Sequence, residues 1–123
     1  MNNEFLYENL TKNIIKCFYI VHDELGAGFL ESVYEKALMI EFRNKNLKAE
    51  TQKLLNVNYK NQLIGEFKAD IVVEEKVIIE IKAVNSLIPQ NEAQLIHYLK
   101  ASGIHIGLLV NFGEKLEFKR RIV

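Results

Sequence analysis

The stretch FKADIVVEEKVIIEIKAV, residues 67–84, decides the fold. Apolar and polar residues alternate on both sides of Glu74-Glu75-Lys76, the pattern of two antiparallel strands joined by a short turn. A three-residue turn sets Val73 opposite Val77, Ile71 opposite Ile79, Asp70 opposite Glu80 and Lys68 opposite Lys82. Strand alternation then gives Phe67, Ala69, Ile71, Val73, Val77, Ile79, Ile81 and Ala83 to one uniformly apolar face, and Asp70, Glu80 and Lys82 to the other. Directly opposed residues have Cβ atoms about 4.5–5.5 Å apart, where two carboxylates repel unless a positive group stands between them. A divalent cation resolves the conflict. Mg²⁺ takes oxygen ligands at about 2.0–2.1 Å, commonly one or two protein carboxylates with substrate phosphate oxygens and water. Asp70 and Glu80 are the expected ligands, with the backbone carbonyl of Ile81 a further one. Lys82 would position or deprotonate the attacking water and offset charge on a phosphate. The same charges also suit a solvated sheet face on which Lys68 and Lys82 make cross-strand salt bridges, and the residues alone leave both readings open.

Outward from this hairpin the chain reads as one ordered unit, with no repeat, low-complexity tract or linker, and residues 1–123 are expected to form a single domain. Leu10, Ile14, Phe18, Val21 and Leu25 recur at helical spacing and predict a helix from about Glu8 to Leu25, closed by Gly26-Ala27-Gly28. A second helix is predicted from Leu30 to Asn46. Leu55, Val57 and Tyr59 then alternate before a turn at Lys60-Asn61-Gln62, and Leu63 to Val73 forms the strand that enters the hairpin. Val77 to Val84 has the β-branched content of a central strand. Pro89 opens a third helix that runs to Ser102-Gly103. Ile104 to Phe112 is an apolar strand covered on both faces, and Lys115 to Ile122 is an edge strand. The expected class is α/β (α+β), a mixed central sheet of four or five strands with flanking helices in the order ααβββαββ.

Composition narrows the function. The 16 basic and 16 acidic residues cancel, so no polybasic membrane anchor or cationic coat exists and any nucleic-acid contact is local. One cysteine, Cys17, excludes an intramolecular disulfide framework and a Cys-rich zinc site, and suits a reducing, cytoplasmic compartment. No apolar run approaches the roughly 20 residues of a spanning helix, and the polar, acidic start MNNEFLYENL is unlike a signal peptide.

These residues resemble a family. Asp70 followed by Glu80-Ile81-Lys82 is similar to the D…(D/E)xK core of the PD-(D/E)XK nuclease superfamily, whose αβββαβ core matches the order above. Gly28, Glu31 and Tyr34, within Leu25-Gly26-Ala27-Gly28-Phe29-Leu30-Glu31-Ser32-Val33-Tyr34, resemble the signature of the GxxExxY proteins. The likeness continues through Glu80-Ile81-Lys82-Ala83, Glu92-Ala93-Gln94-Leu95 with Tyr98, Asn111-Phe112-Gly113 and Lys119-Arg120-Arg121-Ile122-Val123. One departure is Ala27, where proline is common. The resemblance implies a Mg²⁺- or Mn²⁺-dependent nuclease acting on nucleic acid, with DNA favoured over RNA. It makes Glu31 the helix carboxylate that completes the metal site with Asp70 and Glu80, Lys82 the strand lysine, and Gln94 and Tyr98 a QxxxY pair on one helix face. A Gln amide and a Tyr hydroxyl can fix a carboxylate or donate to a phosphate oxygen. Tyr34 would support the site or simply pack its helix on the sheet. The rival is a nuclease-fold module that binds or assembles without cutting; neutral charge and the lack of an appended DNA-binding domain favour it, whereas the presence of all four charged residues favours the enzyme. A chain this short has little surface to grip a duplex, which leaves room for a homodimer or a larger complex.

Other constellations are weaker. His22, His97 and His105 lack metal-ligand spacing and are expected to be structural. Cys17 lies near the first helix's apolar stripe and is expected to pack rather than react. Gly26-x-Gly28 is a helix cap and turn, not a dinucleotide loop. Lys115, Lys119, Arg120 and Arg121 are expected to be a solvated edge that discourages sheet pairing.

Overall fold

The computed structural model describes residues 7–123, so the start of the polar N-terminal segment, residues 1–6, lies outside the described residues. Helix α1 (Glu8–Leu25) buries Thr11, Ile14, Cys17, Phe18 and Val21 along one face, and its last turn closes where the Gly26 N–H donates to His22 O at 2.8 Å. Helix α2 (Glu31–Asn44) follows, two residues shorter at its C-terminal end than the spacing predicts, with Asn46 in the left-handed region at φ 59°. Strands β1 (Ala49–Tyr59) and β2 (Gln62–Val73) form a long hairpin turned by Lys60 and Asn61, both at positive φ. Strand β3 (Val77–Lys82), helix α3 (Pro89–Ser102), β4 (Ile106–Phe112) and β5 (Leu116–Ile122) complete the order ααβββαββ. The sheet runs β1-β2-β3-β4-β5; only β3 and β4 are parallel, and α3 carries the crossover between them.

Two cores lie on opposite faces of this sheet. On one, Ile71, Val73, Val77, Ile79, Ile81, Leu108 and Val110 pack against α1 and α2. On the other, Ala69, Val72, Ile78 and Leu109 pack against Leu95 and Leu99 of α3. Helix α3 approaches closely because β4 has a glycine beneath it: a Cβ at Gly107 would stand 2.6 Å from Leu95 Cδ1. The predicted solvated sheet face is thus covered by α3, and Glu80 retains only 8% exposure.

The hairpin departs from its simple reading. The β2–β3 ladder contains Val73–Val77, Val72–Ile78 and Ile71–Ile79 as predicted, and stops there. Asp70 and Glu80 are not a directly opposed pair. Lys68 and Lys82 do not oppose each other either, since Lys68 pairs with Leu54 of β1 and Lys82 with Asn111 of β4. Each strand stays with its other neighbour, β2 with β1 and β3 with β4, so the two fork apart beyond Ile71 and Ile79. Nor is the apolar face uniform. Ile71 and Val73 face α1 and α2, but Ala69 lies in the α3 core and Phe67 stacks on Tyr98 of α3, ring centroids 3.9 Å apart. The changeover falls between Ala69 and Ile71, at the level where Gln52 of β1 takes φ 50°.

Candidate active site

The fork is where Asp70 and Glu80 meet. Where the ladder stops, backbone N–H groups lose their strand partners, and buried unpaired donors are costly. The carboxylates take them. Asp70 Oδ2 accepts the Ile81 N–H at 2.8 Å, and Glu80 Oε2 accepts the Asp70 N–H at 3.1 Å. Burial pushes the Glu80 carboxyl up to about 8; the Asp70 charge adds to the rise, and Lys82 pulls weakly the other way. Desolvation also raises the Tyr98 hydroxyl, followed by the charges of Glu80 and Asp70, so this phenol of α3 stands within their field.

Glu31 opens α2, and the Gly28–Leu30 segment delivers it to the fork. Gly28 adopts φ 108°, a conformation L side chains rarely reach. Tyr34 is fully buried, stacked on Phe112 with centroids 4.4 Å apart; its hydroxyl donates to Gly26 O at 2.6 Å and accepts the Phe29 N–H at 3.3 Å. Tyr34 thus ties down the loop that precedes Glu31 and does not itself line the carboxylate cavity. That cavity, about 210 Å³, is lined by Glu31, Ser32, Glu35, Gln52, Asp70 and Ile81. Because the Ile81 side chain belongs to the core, its backbone is what faces the cavity. Glu80 is not among the lining residues; its Oε2 is turned onto the Asp70 N–H. On α3, Gln94 Nε2 donates to the Tyr98 hydroxyl at 2.8 Å, the i, i+4 pair expected from the spacing.

Three cavity residues, Ser32, Glu35 and Gln52, are not among those the sequence singles out. Glu35 is four residues after Glu31, a spacing that places both on one face of α2 and was legible. Gln52 carried no such signal, because its place depends on a left-handed residue inside a strand. Its Nε2 donates to Glu35 Oε1 at 2.7 Å and lies 3.4 Å from Asp70 Oδ1.

The donor set suits a hard divalent cation: carboxylate and carbonyl oxygens, with a buried carboxyl whose ionisation a positive charge would favour. Among the described residues no three acidic, His or Cys side chains already form a cluster able to hold a metal ion.

The other constellations are structural. Cys17 is buried, and burial pushes its thiol up to about 11. His22 Nε2 contacts Gly113 O at 2.8 Å, and His105 Nδ1 contacts Val123 O at 3.0 Å. The basic terminal cluster is more than a solvated edge: Arg121 Nε and Nη2 both engage Glu92 Oε2, at 2.8 and 2.7 Å, joining β5 to α3.

The mixed sheet, the flanking helices and the acidic fork define a nuclease-type α+β fold. The family model of the PD-(D/E)XK nuclease superfamily matches residues 8–121, and the chain belongs to that superfamily. Among solved structures, it is similar to the crystal structure of SSO0001, with a TM-score of 0.58 and 21% identity over 75% of this chain. The match spans 50% of the SSO0001 chain, and it is a likeness of fold. No curated protein matches. Among the described residues no helix is long and apolar enough to cross a membrane.

Proposed function

We propose that this protein is a Mg²⁺- or Mn²⁺-dependent nuclease that hydrolyses phosphodiester bonds of nucleic acid, with DNA the favoured substrate, and that it is one of the GxxExxY proteins, acting in the cytoplasm. The observation that carries this reading is the fork, where Asp70 is bonded to the Glu80 strand on one side and shares a cavity with Glu31 of α2 on the other, in a superfamily whose members are commonly metal-dependent nucleases. Glu31, Asp70, Glu80 and the Ile81 carbonyl would hold the cation, which supplies Lewis-acid polarisation of the phosphate. The chain's own residues do the rest. Lys82 as the ammonium orients the water and offsets charge on the phosphate, or as the neutral amine takes the water's proton; the water oxygen forms the new P–O bond as the bond to the leaving oxygen breaks, and the proton ends on that oxygen. Gln94 and Tyr98 offer donors to a phosphate oxygen from the α3 side, and Tyr34 holds Glu31 in place through the loop. A duplex substrate is best gripped by a homodimer or within a larger complex.

The test is cleavage of labelled single- and double-stranded DNA and RNA with Mn²⁺, comparing the parent with Glu80→Ala and Lys82→Ala. A loss of about 10²-fold or more in each variant is expected, the scale of one positioned catalytic group. Activity persisting in both variants rejects the assigned site. A parent that neither cuts nor shows Mn²⁺ binding heat in calorimetry supports the rival, a nuclease-fold module that binds or assembles without catalysis.

A further inference from the structure

Ionised carboxylates accept hydrogen bonds and donate none, so Glu35 and Asp70 cannot satisfy each other across the cavity. A single atom mediates between them. The Gln52 amide nitrogen has two hydrogens; it stands 2.7 Å from Glu35 Oε1 and 3.4 Å from Asp70 Oδ1. The other Asp70 oxygen is held by the Ile81 N–H at 2.8 Å, so both oxygens of this carboxylate are positioned. The backbone that aims the amide is unusual. Among the described non-glycine residues at positive φ, Tyr7, Asn46, Lys60, Asn61, Glu74 and Glu75 lie in turns or at element ends, whereas Gln52, at φ 50°, lies inside a strand. A non-glycine residue there is uncommon, and such outliers persist only where the surroundings over-determine them. Alternation along β1 is broken at Gln52, and its side chain is delivered to the cavity beside α2.

We propose that Gln52 and Glu35 form one positioning device of the metal site, the Gln52 amide holding the Glu35 carboxylate against Asp70 so that the cavity is arranged to receive a divalent cation. This rests on the nuclease reading and deepens it by adding a fourth carboxylate and its orienting amide. The short bond would hold Glu35, while the long contact leaves Asp70 Oδ1 available as a ligand for a divalent cation, which would supply the positive charge between the two carboxylates. Glu35 remains turned inward instead of swinging into solvent. A casual surface contact accounts neither for the left-handed backbone nor for the placement of one donor between two acceptors.

The experiment is Mn²⁺ titration of the full chain by calorimetry, for the parent, Gln52→Gly, Glu35→Gln and the double variant. Glycine accepts the left-handed backbone, so Gln52→Gly should melt no lower than the parent; a merely structural Gln52 would then leave Mn²⁺ affinity unmoved. Each single change is expected to weaken Mn²⁺ binding by roughly ten- to a hundredfold, the usual effect of losing a group that orients a ligand. The double variant should be no weaker than the poorer single one, because the two residues act together. Unchanged affinity in either single variant, or losses that multiply in the double variant, overturns this inference and leaves the nuclease reading standing. A parent that binds no Mn²⁺ overturns this inference, and the nuclease reading falls with it only when the same protein also fails to cut labelled nucleic acid.

Discussion

Glu80 concentrates the residue-scale conflict, because its carboxylate is almost buried while its hydrogen bond to the Asp70 N–H is best made by the ionised form. Burial prevails and raises the folded-state value to about 8, against 4.5 for the unperturbed group. Since the folded value lies above the unfolded one, the folded state holds a proton that the unfolded chain gives up. The stabilisation is therefore complete below pH 4.5 and is lost as pH rises through 8. In metal-free protein, Glu80→Gln should melt about 3–8 °C above the parent at pH 9 and level with it at pH 4, as read by thermal unfolding at the two pH values. Equal midpoints at pH 9 would show a solvated carboxylate. Tyr98 separates structure from function in another way. Tyr98→Phe keeps the stack on Phe67 and loses the Gln94 bond, so unfolding in urea should shift by about 1 kcal/mol or less while cleavage falls about tenfold or more.

Among the elements, β3 and α3 place the site. β3 pairs with β2 only through Ile71–Ile79 and then continues with β4, which opens the fork and leaves the Asp70 and Ile81 N–H groups to the two carboxylates. α3 covers the same strands from the other face and brings Gln94 and Tyr98 to the fork's flank. Its approach depends on Gly107. Gly107→Ala puts a methyl against Leu95 and should destabilise the protein by about 1–3 kcal/mol in denaturant titration, with Gly107→Ala/Leu95→Ala recovering part of the loss relative to Leu95→Ala alone. An unshifted Gly107→Ala midpoint would mean that α3 packs more loosely. The Glu92–Arg121 contact, about one-third exposed on each side, ties α3 to β5; Glu92→Gln should cost about 1 kcal/mol at most and less in high salt.

At the scale of the whole molecule, the sheet divides two apolar clusters, and Cys17 reports on the larger of them. Its thiol is buried among α1, α2 and the sheet, and burial pushes it up to about 11. Thiol-modifying reagent should label native protein at least about 10³-fold more slowly than unfolded protein, at a rate that follows opening of the structure. Rapid native labelling would place α1 off the sheet.

The sequence by itself determined the identity and order of the elements, because helical and strand periodicities are local properties of the chain and Gly26, Pro89 and Gly103 mark their boundaries. It also named Asp70, Glu80 and Lys82, since charges at fixed intervals among β-branched residues stand out without coordinates. It placed Gln94 beside Tyr98 because residues four apart share one face of a helix. Tertiary structure alone decided that Asp70 and Glu80 would bond to each other's strands instead of facing across a ladder, because β2 and β3 choose different neighbours once both have two. It also decided that α3 would cover the charged side, and that Gln52 would turn into the cavity with Glu35. Strand pairing, close approach of a helix and a left-handed residue inside a strand all depend on contacts between segments distant in the chain, and no local pattern carries them.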